Sequence, residues 1–593
     1  MSLVANMDKL LKRTERILSL FFGIAAFLFF TFFYQNHLHY EEQFQLFLFT
    51  SDYWTNLMSR PGGLADYLGT FFAQFYYYSW LGAFIIAAML VLLQILIKAL
   101  AIRLRNNRSI IAVTFIPSLF YWILLCNENY LLAGLIAVLL TLFAANGYTY
   151  LKSPALRIVV TFIALPLLYW LAGGVFWLFA AVCVVLEFGY FKQFTKLQGT
   201  LFVIGVLVFV ACPPLIAKHF LQYPLSRLWW GLSYNRFPVI SPLPLFILWL
   251  FVIGTISVGF VPAPSGWKKN KISVWVSLSV VLMVLASILL IHSSANWKKE
   301  EIMAYDYYAR TQNWNKIINM ANHKDPNSPL SVACLNLALY KDGNMGDCMF
   351  RYYQNGTEGL LPTFQRDFTL PMIAGEIYYH LGFLNTSMQY SFEAMEALPD
   401  HKKSVRAMMR IAEINLLNGQ DKVAEKYLHI LQHTLFYSKQ ANEMLQCVGN
   451  EAKIDANPEW ASLRKYRITD DFLFSENEKE RMLELLITHC QSNKIAYEYL
   501  MAYTLLAKDL THFAQYLPLG MNLGYREIPA HYQEALLYYW LNTSQNQIKI
   551  SSSINPAIRN NLNSFVRMYK SNVNKKAMGD KFSQTYWYYL FFR

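Results

Sequence analysis

The chain has 593 residues, 55% hydrophobic and 15% charged, with a mean hydropathy of +0.26. A soluble globular protein carries about 25% charged residues, so the composition excludes a wholly soluble protein. The 43 Phe, 39 Tyr and 15 Trp exclude a disordered or low-complexity chain. A net charge of +13 would suggest nucleic acid if it formed a stripe on a soluble domain. Instead, residues 1–300 hold 21 Lys and Arg against 9 Asp and Glu, and the remainder 30 against 29. The excess lies in short loops between apolar runs, which is a topology signal and argues against a nucleic-acid partner.

Apolar runs near 15–34, 79–100, 109–126, 130–148, 157–173, 174–190, 200–217, 241–262 and 272–292 approach the ~20 residues a bilayer span needs. They predict about nine spans, with a tight turn at Gly173-Gly174. Lys and Arg stay on the cytoplasmic side. Lys9, Lys12, Arg13 and Arg16 precede the first span; Lys98, Arg103, Arg105 and Arg108 follow the second; Lys152, Arg157, Lys192, Lys196, Lys268, Lys269 and Lys271 occupy alternate later loops. Opposite them stand only Arg60, Lys218, Arg227 and Arg236. This pattern predicts a bacterial inner-membrane protein with a cytoplasmic N-terminus and everything after Ile291 outside. No small-residue cleavage site follows the first apolar run, so it reads as a span and not as a cleaved signal.

The loop from about 35 to 80 is longer than a hairpin requires, and long loops tend to be functional. It opens His37-Leu38-His39-Tyr40-Glu41-Glu42, passes Asp52 and the Arg60-Pro61-Gly62-Gly63 break, and continues as an aromatic amphipathic stretch from Leu64 to Tyr78. Such stretches lie in the membrane interface. Two histidines and two carboxylates just outside a span suit a metal site, with His39 and Glu41 as ligands, or a general base. They equally suit a solvated juxtamembrane turn. In the loop after the seventh run, Lys218, His219, Arg227 and Arg236 alternate with Trp229, Trp230 and Tyr234. Guanidinium binds phosphate in bidentate fashion and rings cover a sugar or acyl chain; interfacial anchoring is the alternative. Glu187, near the cytoplasmic end of the sixth run, is placed to snorkel or to pair with Lys192.

Beyond Trp297 apolar positions recur at helical spacing. Ala407, Met408, Ile411, Ile414 and Leu417 form one face, followed by Gly419, Ala424 and Leu428; Gly343, Cys348 and Tyr352 repeat the offset, and Gly382, Ser387 and Ser391 do so more weakly. The pattern resembles the tetratricopeptide repeat, although the three glycines are 39 and 37 residues apart against the usual ~34. The predicted fold is therefore all-α: a polytopic transmembrane domain over 1–294, a soluble α-solenoid of degenerate tetratricopeptide-like hairpins over 295–545, and a tail over 546–593. That tail holds Ser551-Ser552-Ser553 and ends in the aromatic run Tyr586–Phe592, too short to span and expected to pack on the solenoid. The seven cysteines show no zinc-site spacing and read as free thiols.

A first span, an acidic residue just outside it, a long outer loop and a C-terminal outer domain together resemble the C-type polytopic glycosyltransferases. Arg60-Pro61-Gly62-Gly63-Leu64-Ala65-Asp66-Tyr67-Leu68, leading to Trp80-Leu81-Gly82, is similar in placement to that family's His-Pro-Pro-leucine segment and its following helix, but lacks the His-Pro-Pro. The resemblance implies a polyprenyl-linked glycan donor, a divalent metal such as Mg or Mn, and a carboxylate that binds the metal or activates the acceptor. Glu41 and Glu42 stand in that place, with Asp52 as second choice. Lys218, Arg227 and Arg236 would face the donor phosphate, and the solenoid would position a protein or polysaccharide acceptor. The competing expectation is a non-catalytic membrane-anchored scaffold for cell-envelope assembly.

Overall fold

The computed structural model describes residues 2–105, 110–260, 269–365, 367–400, 402–468, 472, 474–525, 527–543 and 554–593. Arg108, Lys268 and Ser551-Ser552-Ser553 lie outside them. The protein is all-α, 76% helical, and no strand occurs among the described residues. It divides into two compact units: Met1–Glu300 with the short segments Leu398–Lys403 and His433–Phe436, and the remainder from Glu301 to Arg593.

The nine apolar runs of the first unit are helical where described, but among the described residues five, not nine, are long and apolar enough to cross a membrane: Lys12–Phe33, Ser79–Leu104, Pro154–Ala172, Lys196–Phe220 and Ser277–Ser294. Ile111–Leu125, Leu132–Tyr148, Phe176–Phe191 and Leu243–Val258 are shorter. Hydropathy does not separate a short span from a buried core helix. Leu132–Tyr148 shows why, for it is buried from Leu132 through Leu139 and at four of its remaining nine residues; a helix apolar on all sides sits inside a bundle. Local signals set several ends. Thr195 and Gln198 form a reciprocal capping box at the start of Lys196–Phe220, satisfying two of the orphan N–H groups there.

Polar groups between these helices are paired. Arg157 and Glu187 form a fully buried ion pair, Nε to Oε1 at 2.5 Å, and Tyr148 donates to the same carboxylate oxygen at 2.7 Å. Glu187 therefore pairs with Arg157, not Lys192, which caps the π-helical turn in a left-handed conformation and is exposed.

In the second unit the three glycines of the repeat-like pattern close helices in the left-handed region: Gly343 (φ 78°), Gly382 (φ 99°) and Gly419 (φ 72°). A Cβ is costly there, so glycine ends the helix. Thr369–Leu381 turns through Gly382 into Leu384–Glu396, and Val405–Leu417 through Gly419 into Asp421–Leu431, each pair packed as a hairpin. The small residues after the turns, Ser387 and Ala424, are fully buried. The terminal helix Tyr586–Phe592 buries Tyr586 and Trp587, whose indole donates to the Glu534 carbonyl at 2.8 Å. All seven cysteines are free, Cys212 exposed and Cys348 and Cys447 half-buried.

Candidate functional site

The loop after the first long helix folds into Gln35–Gln43, Ser51–Met58 and Gly63–Ala73. Thr50 caps the second by accepting from the Tyr53 N–H at 3.3 Å. Gly62 turns the chain at φ 82°, and a Cβ on Gly63 would stand 2.3 Å from the Leu57 carbonyl oxygen. The Pro-Gly-Gly break thus lets two helices meet end to end.

Asn36 to Gln43 are all buried, which overturns the solvated-turn expectation. Glu300 occupies the helix N-terminus, accepting from the Asn36 and His37 backbone N–H groups at 2.8 and 3.0 Å, where orphan donors favour an anion. His37 Nε2 lies 3.0 Å from Glu41 Oε1, and Glu41 Oε2 has no hydrogen-bond partner among the described residues. Burial pushes the Glu41 carboxyl up; burial opposes the charged form of His37 too, but the Glu41 carboxylate outweighs it and raises the imidazole. Of the two histidines it is His37 that meets Glu41, since residues four apart share a helix face. No group of three or more His, Cys, Asp or Glu suited to a metal occurs among the described residues.

A second cluster centres on Asp66, 1% exposed. Its carboxylate accepts from Arg60 Nη2 and Ser233 Oγ, both at 2.8 Å, and from Lys402 Nζ at 3.4 Å. Burial would raise this carboxyl, but Lys402, Arg60 and the Ser233 hydroxyl hold it below the usual range. Arg227 grips Asp400 in bidentate fashion at 2.9 and 2.6 Å. Around this cluster opens a cavity of about 380 Å³, lined by Asp52, Arg60, Asp66, Asp400, Lys402 and Lys403 among others. Asp52 is exposed in its wall, and Arg60 Nε has no hydrogen-bond partner among the described residues.

The long loop and the 218–240 loop therefore meet, at Asp66 with Ser233 and again where Arg236 donates to the Tyr40 hydroxyl at 2.9 Å. Of the predicted residues, Asp52 and Arg60 share the cavity and Arg227 reaches its wall through Asp400. Glu41 and Glu42, 2% and 4% exposed, do not line it. Lys218 donates to its own loop, at the Tyr223 carbonyl (3.1 Å). The Tyr234 hydroxyl bonds the backbone at Ala172 and Val175, fixing the Gly173-Gly174 turn. Trp229 and Trp230 face a separate apolar groove. Lys402 and Asp400 were missed, because nothing local in the sequence ties 398–403 to a loop more than 300 residues earlier. Asp66 lies within the Arg60–Leu68 segment, six residues from the arginine it binds.

The fold and site define an all-α protein with several helices compatible with a membrane and a charged cavity beside them. The chain belongs to a family of unknown function (DUF6057), whose model matches residues 9–593. No curated protein and no solved structure matches it.

Proposed function

We propose that the protein is a multi-pass transferase of the bacterial inner membrane that moves a sugar or glycan from a polyprenyl-linked donor to an acceptor on the outer face. In this reading the five long apolar helices cross the bilayer, the N-terminus is cytoplasmic, and the second unit is an extracytoplasmic tetratricopeptide-like solenoid that presents a protein or polysaccharide acceptor. The observation that carries the reading is the 380 Å³ cavity, in which an exposed carboxylate, Asp52, faces a wall holding Arg60, Lys402 and Lys403. Asp52 takes the proton of the acceptor hydroxyl as that oxygen bonds the anomeric carbon and the bond from that carbon to the phosphate oxygen breaks. The released phosphate is held by Lys402, Lys403 and the Arg60 Nε–H, as cations suit phosphate oxygens. A divalent metal of the Mg or Mn type would bind at the phosphate with Asp52; Glu41 and Glu42 are too enclosed to reach the substrate and position the loop instead.

Glycan profiles of cells carrying Asp52→Asn test this. Loss of one glycan with normal membrane insertion supports the reading; an unchanged profile refutes it. One observation favours a non-catalytic scaffold for envelope assembly: Arg60, Arg227 and Lys402 are each already engaged by a carboxylate of the same unit. Under that reading Asp66→Asn disturbs folding, while Asp52→Asn has no effect.

A further inference from the structure

Away from the charged cavity, the first unit contains an apolar groove of about 580 Å³. One wall is the face of Phe176–Leu186 that carries Ala181, Val184 and Val185; the other is the face of Lys196–Phe220 that carries Val203, Val206 and Val210. These positions recur at three and four residues, so each wall is a continuous stripe. Packed helices leave few voids larger than a water molecule, and a cavity without polar partners does not hold ordered water. Lys196–Phe220 is long and apolar enough to cross a membrane, and where it does so it carries the groove at the depth of hydrocarbon. Its occupant is therefore apolar.

We infer that the groove is a binding site for the acyl chain of a bilayer phospholipid. Beside it Lys196–Phe220 exposes Leu201, Ile204 and Leu207, and the molecules that bathe such an apolar helix face in a bilayer are its phospholipid chains. One end supplies a place for a polar head. Trp230 lines both the groove and a small recess of about 90 Å³ with Ser226, Arg227 and Asn235, and the buried Asn235 Oδ1 has no hydrogen-bond partner among the described residues. A Trp at the junction of chain and head is the usual interfacial arrangement. The inference stands apart from the transferase reading and survives its failure.

The test is photo-crosslinking of the full chain in nanodiscs with phosphatidylglycerol carrying a diazirine in one acyl chain, in parallel with a diazirine-bearing polyprenyl phosphate. Adducts of the phospholipid are expected on peptides covering 177–185 and 203–210. Val206→Trp, or the milder Ala181→Leu if the first fails to insert, should weaken them roughly tenfold, the effect of keeping about two methylenes out of an apolar site. Leu201→Trp, on the 59% exposed position of the same helix, should leave them unchanged. Adducts spread evenly over the exposed helix faces and indifferent to Val206→Trp would overturn the inference. So would groove labelling by the polyprenyl probe alone, or crosslinks joining the groove to a second copy of the chain.

Discussion

Ser233 donates its hydroxyl to the Asp66 carboxylate at 2.8 Å and so joins two loops 167 residues apart in sequence. The same carboxylate receives Arg60 and Lys402, making it the hub of the cavity wall. Asp66→Ala leaves two cations without their buried partner, which costs about 3–5 kcal/mol. Ser233→Ala removes one hydrogen bond to a charged group, about 1.5–3 kcal/mol. Thermal unfolding in detergent should rank the two variants in that order; equal, small shifts would show that Asp66 is not the hub.

Stability of the His37–Glu41 region should fall as pH rises. The raised Glu41 carboxyl favours the protonated native state, so its penalty grows as pH climbs from the ordinary value of 4.5 through the raised one. His37, also raised, contributes fully below its ordinary 6.5 and loses that contribution as pH passes its native value. Glu300, Glu128 and Arg236 also act on this pair. Melting temperatures recorded from pH 6 to 9 should decline, and His37→Gln should flatten the slope. A slope that His37→Gln leaves intact assigns the effect elsewhere.

The second unit should respond to acid. Glu376 is 4% exposed, and although burial raises its carboxyl, Arg410, His380 and Arg406 hold it far below the carboxylate range. Arg410 also lies 3.7 Å from the centre of the Tyr379 ring. The carboxylate's contribution is complete above the ordinary 4.5 and lost as pH falls toward the native value. Glu376→Gln should therefore lower stability at pH 7 by about 3–5 kcal/mol and show a shallower loss between pH 5 and 3 than the parent. An identical acid limb in both proteins would exclude Glu376 as the cause.

Gly174 is required by contact. A Cβ there would stand 2.4 Å from the Trp230 carbonyl carbon and 2.5 Å from the Trp229 carbonyl oxygen, both backbone atoms that cannot turn aside. Gly174→Ala should cost about 1–3 kcal/mol, whereas Gly147→Ala, with open space around it, should be neutral or stabilising. Unfolding of the two single variants compares them directly.

The fold was legible wherever a local rule decides. Gly343, Gly382 and Gly419 announced helix ends because only glycine takes the left-handed turn freely, and the apolar runs announced helices. The number of spans was not legible, because Leu132–Tyr148 is as greasy as any span yet sits within the core. At the site, the Arg60-Pro-Gly-Gly segment was visible as a break, and Asp52 and Arg60 do share a cavity. The pairing of His37 in place of His39 with Glu41 was available from helical spacing alone, once the segment is read as a helix. Asp400 and Lys402 were beyond reach, since charge partners remote in sequence leave no periodic trace.

In the proposed transfer Asp52 is the base that takes the proton of the acceptor hydroxyl as it attacks the lipid-linked glycan. Purified protein in liposomes containing a polyprenyl-linked donor and a hydroxyl-bearing acceptor should transfer the glycan, and Asp52→Asn should slow transfer by roughly 10²–10⁴-fold with an unchanged melting temperature. Equal transfer by the parent and Asp52→Asn, or none by the correctly folded parent with any such donor, would contradict it.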